Sequence, residues 1–156
     1  MKKIASFTVN HNVLPKGMYT SRVDGDVVTY DVRMKKPNGG DYLPNAAMHT
    51  IEHLFATYAR NTRYEDQIIY VGPMGCRTGF YFLVRDTVCP QAAIGLVRDA
   101  MAFIAAYEGE IPGVSARECG NCAEHDLAGA KAVASDMAQV LRGWNTEQLI
   151  YPESFL

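Results

Sequence analysis

An α+β fold, with helices covering one face of an antiparallel sheet in two layers, is predicted by three features of the chain. They are apolar-polar alternation, a glycine- and proline-punctuated hairpin loop, and three stretches with helical spacing. In Val27 to Met34, the residues Val28, Tyr30, Val32 and Met34 share one face while Thr29, Asp31 and Arg33 share the other, which aims Arg33 away from the core. Phe7 to Val9 is expected to add a short strand near the start. From Pro44 to about Arg60, Met48, Ile51, Leu54, Phe55 and Tyr58 recur at helical spacing. The turn cluster Asn38-Gly39-Gly40-Asp41 precedes this helix, and Pro44 suits its first turn, where a missing N–H needs no partner. Gln67 to Val71 and Gly79 to Val84 read as two further strands joined by the loop Gly72-Pro73-Met74-Gly75-Cys76-Arg77-Thr78. Ile94, Val97, Met101 and Ile104 mark a helix over Pro90 to Tyr107, and a last helix is expected from about Glu124 to Arg142. The resulting order is β-β-α-β-β-α-α.

Composition narrows the function. With 156 residues, 48% hydrophobic and 21% charged, the chain suits one domain over residues 1–156 with a full core. A net charge of -2, with basic residues scattered along the chain, argues against nucleic acid or anionic lipid as a partner. No apolar run approaches the ~20 residues that cross a bilayer. Met1-Lys2-Lys3 leads into the polar Ser6, Thr8, Asn10 and His11, unlike a signal-peptide core, so a cytoplasmic protein is expected. The four cysteines fit reduced thiols better than a disulfide framework, because two of them neighbour candidate metal ligands.

The densest chemical signal is His49-Thr50-Ile51-Glu52-His53. Residues four apart on a helix are surface neighbours, so His49 and His53 can converge on one ion while Glu52 lies on the same face as a base. A catalytic divalent metal keeps about three protein ligands and one open position, so a third donor must come from elsewhere. Candidates are Cys119, Cys122, His125, Glu118 and Glu124, and thiolate is the stronger ligand type for zinc or ferrous iron. Gly120 would give the loop after Cys119 freedom to wrap an ion. Cys119 and Cys122 could instead close a structural Cys2His2 shell or form a redox pair, but the first leaves Glu52 without a task and the second lacks a preceding βαβ pattern. Cys76, between Gly75 and Arg77 in the hairpin loop, is expected to be accessible, and a cation nearby would favour its thiolate. Cys89, before Pro90, is expected to be structural, and His125 before Asp126 to belong to a hydrogen-bond network at the start of the last helix.

With these motifs in view, the sequence resembles the S-ribosylhomocysteine lyase (LuxS) family along its whole length. The residues that carry the resemblance are Ser6-Phe7-Thr8-Val9-Asn10-His11, Asp31-Val32-Arg33 with Pro37-Asn38, and His49 through Ala56. They continue with Gly72 through Tyr81, Glu118-Cys119-Gly120-Asn121 and His125-Asp126-Leu127. The resemblance implies a homodimer with active sites shared at the interface, and one divalent metal per subunit, Fe(II) natively with Zn(II) as the alternative. It implies that His49, His53 and Cys119 hold the metal, that Glu52 and Cys76 move protons, and that Ser6, His11, Arg33, Val71 and Gly120 bind substrate. The implied reaction moves the ribose carbonyl from C1 to C3 and expels homocysteine by β-elimination, leaving 4,5-dihydroxy-2,3-pentanedione, a precursor of the quorum-sensing signal autoinducer-2. Two residues depart from the family pattern: Tyr70 stands where many members have an acidic residue and Gly72 where they have serine. Substrate contacts made through those side chains are therefore not carried over, and Cys122 is an uncommon extra thiol.

The chemistry suits these residues. Repeated proton transfers beside a carbonyl call for an acid and a base on the two faces of the carbon chain, each contributing ~10²- to 10⁴-fold, and for a Lewis acid. An inverzincin peptidase shares the H-x-x-E-H pattern but has no use for a thiol in a Gly-Cys loop. A small zinc-stabilised interaction domain is the non-enzymatic alternative, and chelation would unfold it.

Overall fold

The computed structural model describes residues 1–156. Its strands are β1 (Gly17–Asp24), β2 (Val27–Arg33), β3 (Ile68–Pro73) and β4 (Gly79–Arg85), and its helices are α1 (Asn45–Ala59), α2 (Pro90–Ala105) and α3 (Leu127–Val140). The sheet runs β1-β2-β4-β3 with every pair antiparallel. Two hairpins are therefore joined at the centre by the β2–β4 pair, which aligns Val32 with Phe80 and Arg33 with Gly79. Gly79 permits this approach, because a Cβ there would meet the backbone carbonyl of Val32. The β1–β2 turn uses Gly25 at φ 59, a conformation that glycine adopts without a steric cost.

The expected order of elements holds, but the first strand lies elsewhere. Ala5–Phe7 forms a 3-10 turn, and the strand that opens the fold is Gly17–Asp24. Met18 and Tyr19 face opposite sides and both are buried, while the last three residues of β1 are exposed. A strand covered on both faces at one end and on neither at the other has no period-two signal to read. The last helix starts at Leu127, three residues later than expected, because Asp126 caps it by accepting from the Gly129 N–H at 2.9 Å.

One face of the sheet supplies Tyr30, Val32, Phe80, Phe82 and Val84 to a cluster of 27 buried residues that also contains Ile51, Leu54 and Phe55 of α1. Ile94, Val97, Met101 and Ile104 of α2 and Ala130, Ala134 and Met137 of α3 complete it. Phe55 and Phe82 meet with ring centroids 5.2 Å apart; truncating either to alanine would cost about 3–5 kcal/mol. Of the stripe expected for α1, Ile51, Leu54 and Phe55 are buried and Met48 and Tyr58 are half-buried against the core, as His49, Glu52 and His53 are half-buried at its margin. Asp31 and Arg33 point to the other face, as the alternation requires, yet each is only 2% exposed. Residues from both ends of the chain cover that face: Ser6, Val9 and His11 from the start and Tyr151 from the end.

Candidate metal centre and active site

Helix α1 sets His49 and His53 one turn apart, and two backbone carbonyls orient their rings. His49 Nδ1 lies 2.8 Å from the Glu124 carbonyl oxygen and His53 Nδ1 lies 2.7 Å from that of Pro112. A carbonyl only accepts, so each Nδ1 carries the proton and each Nε2 keeps a lone pair for a metal. Cys119 brings its Sγ to 3.4 Å from His49 Nε2, on a loop tied by its own N–H to the Ser115 carbonyl at 2.9 Å. One ligand atom from each of His49, His53, Cys119 and His125 falls within 4.8 Å of the others. Two imidazole nitrogens with lone pairs free, one thiol sulfur and carbonyls holding the rings suit a divalent transition metal.

Three of the other candidates for the third ligand, Glu118, Glu124 and Cys122, stand apart from this group. Glu118 accepts from the Ser115 hydroxyl at 2.6 Å, Glu124 accepts from the Asn121 amide at 2.8 Å, and half-buried Cys122 is not among the converging donors. Gly120 does not adopt a left-handed φ and a Cβ there would meet nothing, so the turn after Cys119 does not require glycine. His125 belongs to the helix-start network expected of it: its Nδ1 is 3.0 Å from Thr50 Oγ1. That hydroxyl donates to the Ala46 carbonyl and accepts from the Asp126 N–H, so His125 Nδ1 is the donor to it. The ring also stacks on His49 at 4.0 Å, and its buried Nε2 has no hydrogen-bond partner. Burial, then the neighbouring His49 and His53, push the His125 pKa down. His125, one of the candidates for the third ligand, thus lies within the donor cluster as well as in the helix-start network.

The Glu52 carboxylate accepts no hydrogen bond within the chain and opens onto a cleft of about 290 Å³ lined also by Asn45, Met48, His49, Pro73, Asn121 and Glu124. Cys76 does not line that cleft. It sits in the turn Met74–Arg77, closed by the Arg77 N–H to the Met74 carbonyl at 2.9 Å, with Arg77 at φ 57. The thiol is exposed, as expected, but the neighbouring Arg77 guanidinium turns instead to the Leu43 carbonyl and the Tyr42 ring. The cation linked to Cys76, through Thr78, is Arg33. Arg33 Nη1 donates to Thr78 Oγ1 at 2.6 Å, and Thr78 Oγ1 lies 3.0 Å from Cys76 Sγ. Arg33 Nη2 donates to Asp31 Oδ2 at 2.7 Å in an ion pair whose side chains are each 3% exposed.

Ser6 and His11 line a small cavity with Asp31, Arg33, Tyr81 and Tyr151, so three of the expected substrate-binding residues meet on the outer face of the sheet. Asp31 Oδ1 and Arg33 Nε are buried there without partners in the chain. Val71 is 4% exposed and packs in the core, which leaves only its backbone for a substrate. The two departures from the family pattern form one structural unit: the Tyr70 ring lies over Gly72, where a Cβ would collide with it. Cys89, expected to be a structural thiol, is exposed at the N-cap of α2.

Fold and site together define a small α+β protein with a His/Cys cluster able to hold a metal ion. The sequence profile of the S-ribosylhomocysteinase (LuxS) family matches residues 4–148. S-ribosylhomocysteine lyases of Clostridium acetobutylicum and Finegoldia magna are 44% and 43% identical to this chain, each alignment covering 98% of the chain and 100% of the relative. The S-ribosylhomocysteine lyase of Porphyromonas gingivalis is 45% identical over the same shares. The chain belongs to the S-ribosylhomocysteinase (LuxS) family. No helix is long and apolar enough to cross a membrane.

Proposed function

We propose that this chain is an S-ribosylhomocysteine lyase, working as one domain over residues 1–156 and converting S-ribosylhomocysteine to homocysteine and 4,5-dihydroxy-2,3-pentanedione. The observation that carries the reading is the convergence of His49, His53 and Cys119 beside the unpartnered carboxylate of Glu52, in a chain whose full-length relatives bear that name. His49, His53 and Cys119 hold one divalent ion, Fe(II) natively and Zn(II) as the alternative. When bound, that ion supplies Lewis acidity for the oxyanion that develops as the carbonyl migrates. Glu52, its carboxylate free of internal hydrogen bonds, takes a proton from one sugar carbon and returns it to the next. Cys76, with Thr78 and Arg33 at its back, exchanges protons on the other face of the carbon chain. Ser6, His11 and Arg33 bind substrate by side chains, Val71 and Gly120 by backbone. His125 stays outside the shell, because a fourth protein donor would close the open position that catalysis needs.

The sheet separates the Glu52 cleft from the cavity of Ser6, His11 and Arg33, and no residue lines both. A homodimer of two-layer subunits that apposes the cleft of one subunit to the outer face of the other would complete each site. A structural Cys2His2 shell is the weaker reading, since Cys122 is absent from the donor cluster. The experiment that tests the proposal is Glu52→Gln. It is expected to keep about one metal per chain while lowering turnover by ~10²-fold or more, because the amide cannot take up the proton. Turnover within a few-fold of wild type would remove Glu52 from the mechanism.

A further inference from the structure

We propose that Tyr151, in the C-terminal segment, is a positioning residue for Cys76, acting through Asp31, Arg33 and Thr78. Tyr151 lies beyond the matched residues 4–148, and its hydroxyl donates to Asp31 Oδ2 at 2.6 Å. The same oxygen accepts from Arg33 Nη2, Arg33 Nη1 donates to Thr78, and Thr78 touches Cys76. A continuous chain of hydrogen bonds thus runs from the C-terminal segment to the thiol. Two independent contacts hold the segment in place. The Tyr151 ring stacks on Tyr19 at 4.9 Å with the planes 16° apart, and the Asn10 N–H donates to the Phe155 carbonyl at 2.5 Å, beside the stretch that carries His11.

The hydroxyl divides the charge of Asp31. With Tyr151 donating to it, the carboxylate leans less on Arg33, and more of the guanidinium's positive field reaches Thr78 and Cys76. Arg33 uses a lone pair of Thr78 Oγ1, which leaves the Thr78 proton free to point at a Cys76 thiolate. Burial, then the charge of Asp31, push the Tyr151 phenol well above its usual range, so it remains a donor throughout the working pH. The groups that face this chain are Asp31 and Arg33 of β2, Tyr19 of β1, Tyr81 of β4, and His11 and Tyr151 from the two ends of the protein. Tyr19 and Tyr81 are held neutral chiefly by burial, which leaves the Asp31–Arg33 balance to set the field at the thiol.

The inference rests on Cys76 being a proton-transfer group, and its test needs no turnover. Metal-loaded wild type and Tyr151→Phe are alkylated with iodoacetamide across a pH series, and Cys76 is quantified by peptide mass spectrometry so that exposed Cys89 does not interfere. Removal of the hydroxyl is expected to move the Cys76 alkylation midpoint to higher pH and to slow its reaction at neutral pH by about threefold or more. kcat should fall in step while KM changes little. Phe155→Ala, which trims a half-buried side chain of the segment and keeps the hydrogen-bond chain, should leave the midpoint unchanged. An unshifted midpoint in Tyr151→Phe, an equal shift in Phe155→Ala, or failure of Tyr151→Phe to fold would each overturn the proposal. A shifted midpoint in a protein that does not cleave S-ribosylhomocysteine would sink the lyase reading and leave the role of Tyr151 standing.

Discussion

Mixing two inactive variants tests whether a complete site needs two chains. The structure chooses the pair: Glu52 opens on the metal-side cleft, whereas Cys76 is linked through Thr78 to Arg33 on the outer face. If Glu52 of one subunit works with Cys76 of the other, a dimer of one Glu52→Gln chain and one Cys76→Ala chain holds one intact site and one doubly damaged site. Free exchange at equal concentrations makes about half of the dimers mixed, so about a quarter of all sites are intact and activity should return to roughly 25% of wild type. A control follows from the same geometry. Arg33 and Cys76 belong to one hydrogen-bonded group within a chain, so Arg33→Met mixed with Cys76→Ala should restore nothing. The assay is homocysteine release after exchange, with mixed dimers counted by native mass spectrometry. No recovery for the Glu52 and Cys76 pair, or recovery for the Arg33 and Cys76 pair, would refute the shared-site reasoning.

Metal content should separate the thiols: Cys119→Ala is expected to lose metal and activity together, whereas Cys122→Ala and His125→Gln keep about one ion per chain by elemental analysis. Metal loss in His125→Gln would make it a fourth ligand. Gly72→Ala should destabilise by roughly 1 kcal/mol because the Tyr70 ring must swing away, and Tyr70→Ala should abolish that cost. Denaturant melts showing additive effects of the two substitutions would contradict the packing. Tyr19, with its pKa pushed up to about 12 by burial and then by Asp31, stays protonated in the native state while its unfolded counterpart ionises near its usual ~10. The native state then binds more protons, so stability should fall as pH rises from about 10 toward 12. Tyr19→Phe should flatten that fall in alkaline melts, and an unchanged slope would refute the assignment.

What was legible in the sequence was local. The spacing of His49, Glu52 and His53 fixes their common face because helix geometry is periodic, and alternation in β2 fixes which way Arg33 points. Burial of Arg33 was not legible, since the residues that cover it come from the two ends of the chain. Tyr151 and Asp31 are 120 residues apart, and no periodic signal spans such a gap. Thr78 was read only as a loop residue, although it is the link between Arg33 and Cys76. Cys89, expected to be structural, is exposed because its position before Pro90 places it at a helix cap, where a thiol has no core to enter. Gly120 was credited with conformational freedom that the turn does not use. The pairing of Tyr70 with Gly72 has a sequence trace in the two neighbouring departures, but only the geometry shows that one accommodates the other.

The most direct measurement is anaerobic incubation of the Fe(II)-loaded protein with S-ribosylhomocysteine, following homocysteine as free thiol and the dione by mass spectrometry. The account predicts equimolar formation of both products. It also predicts that chelation abolishes activity but leaves a folded apoprotein, and that adding Fe(II) back restores turnover. Absence of both products from a fully loaded, folded protein, or full activity after verified removal of the metal, would contradict it.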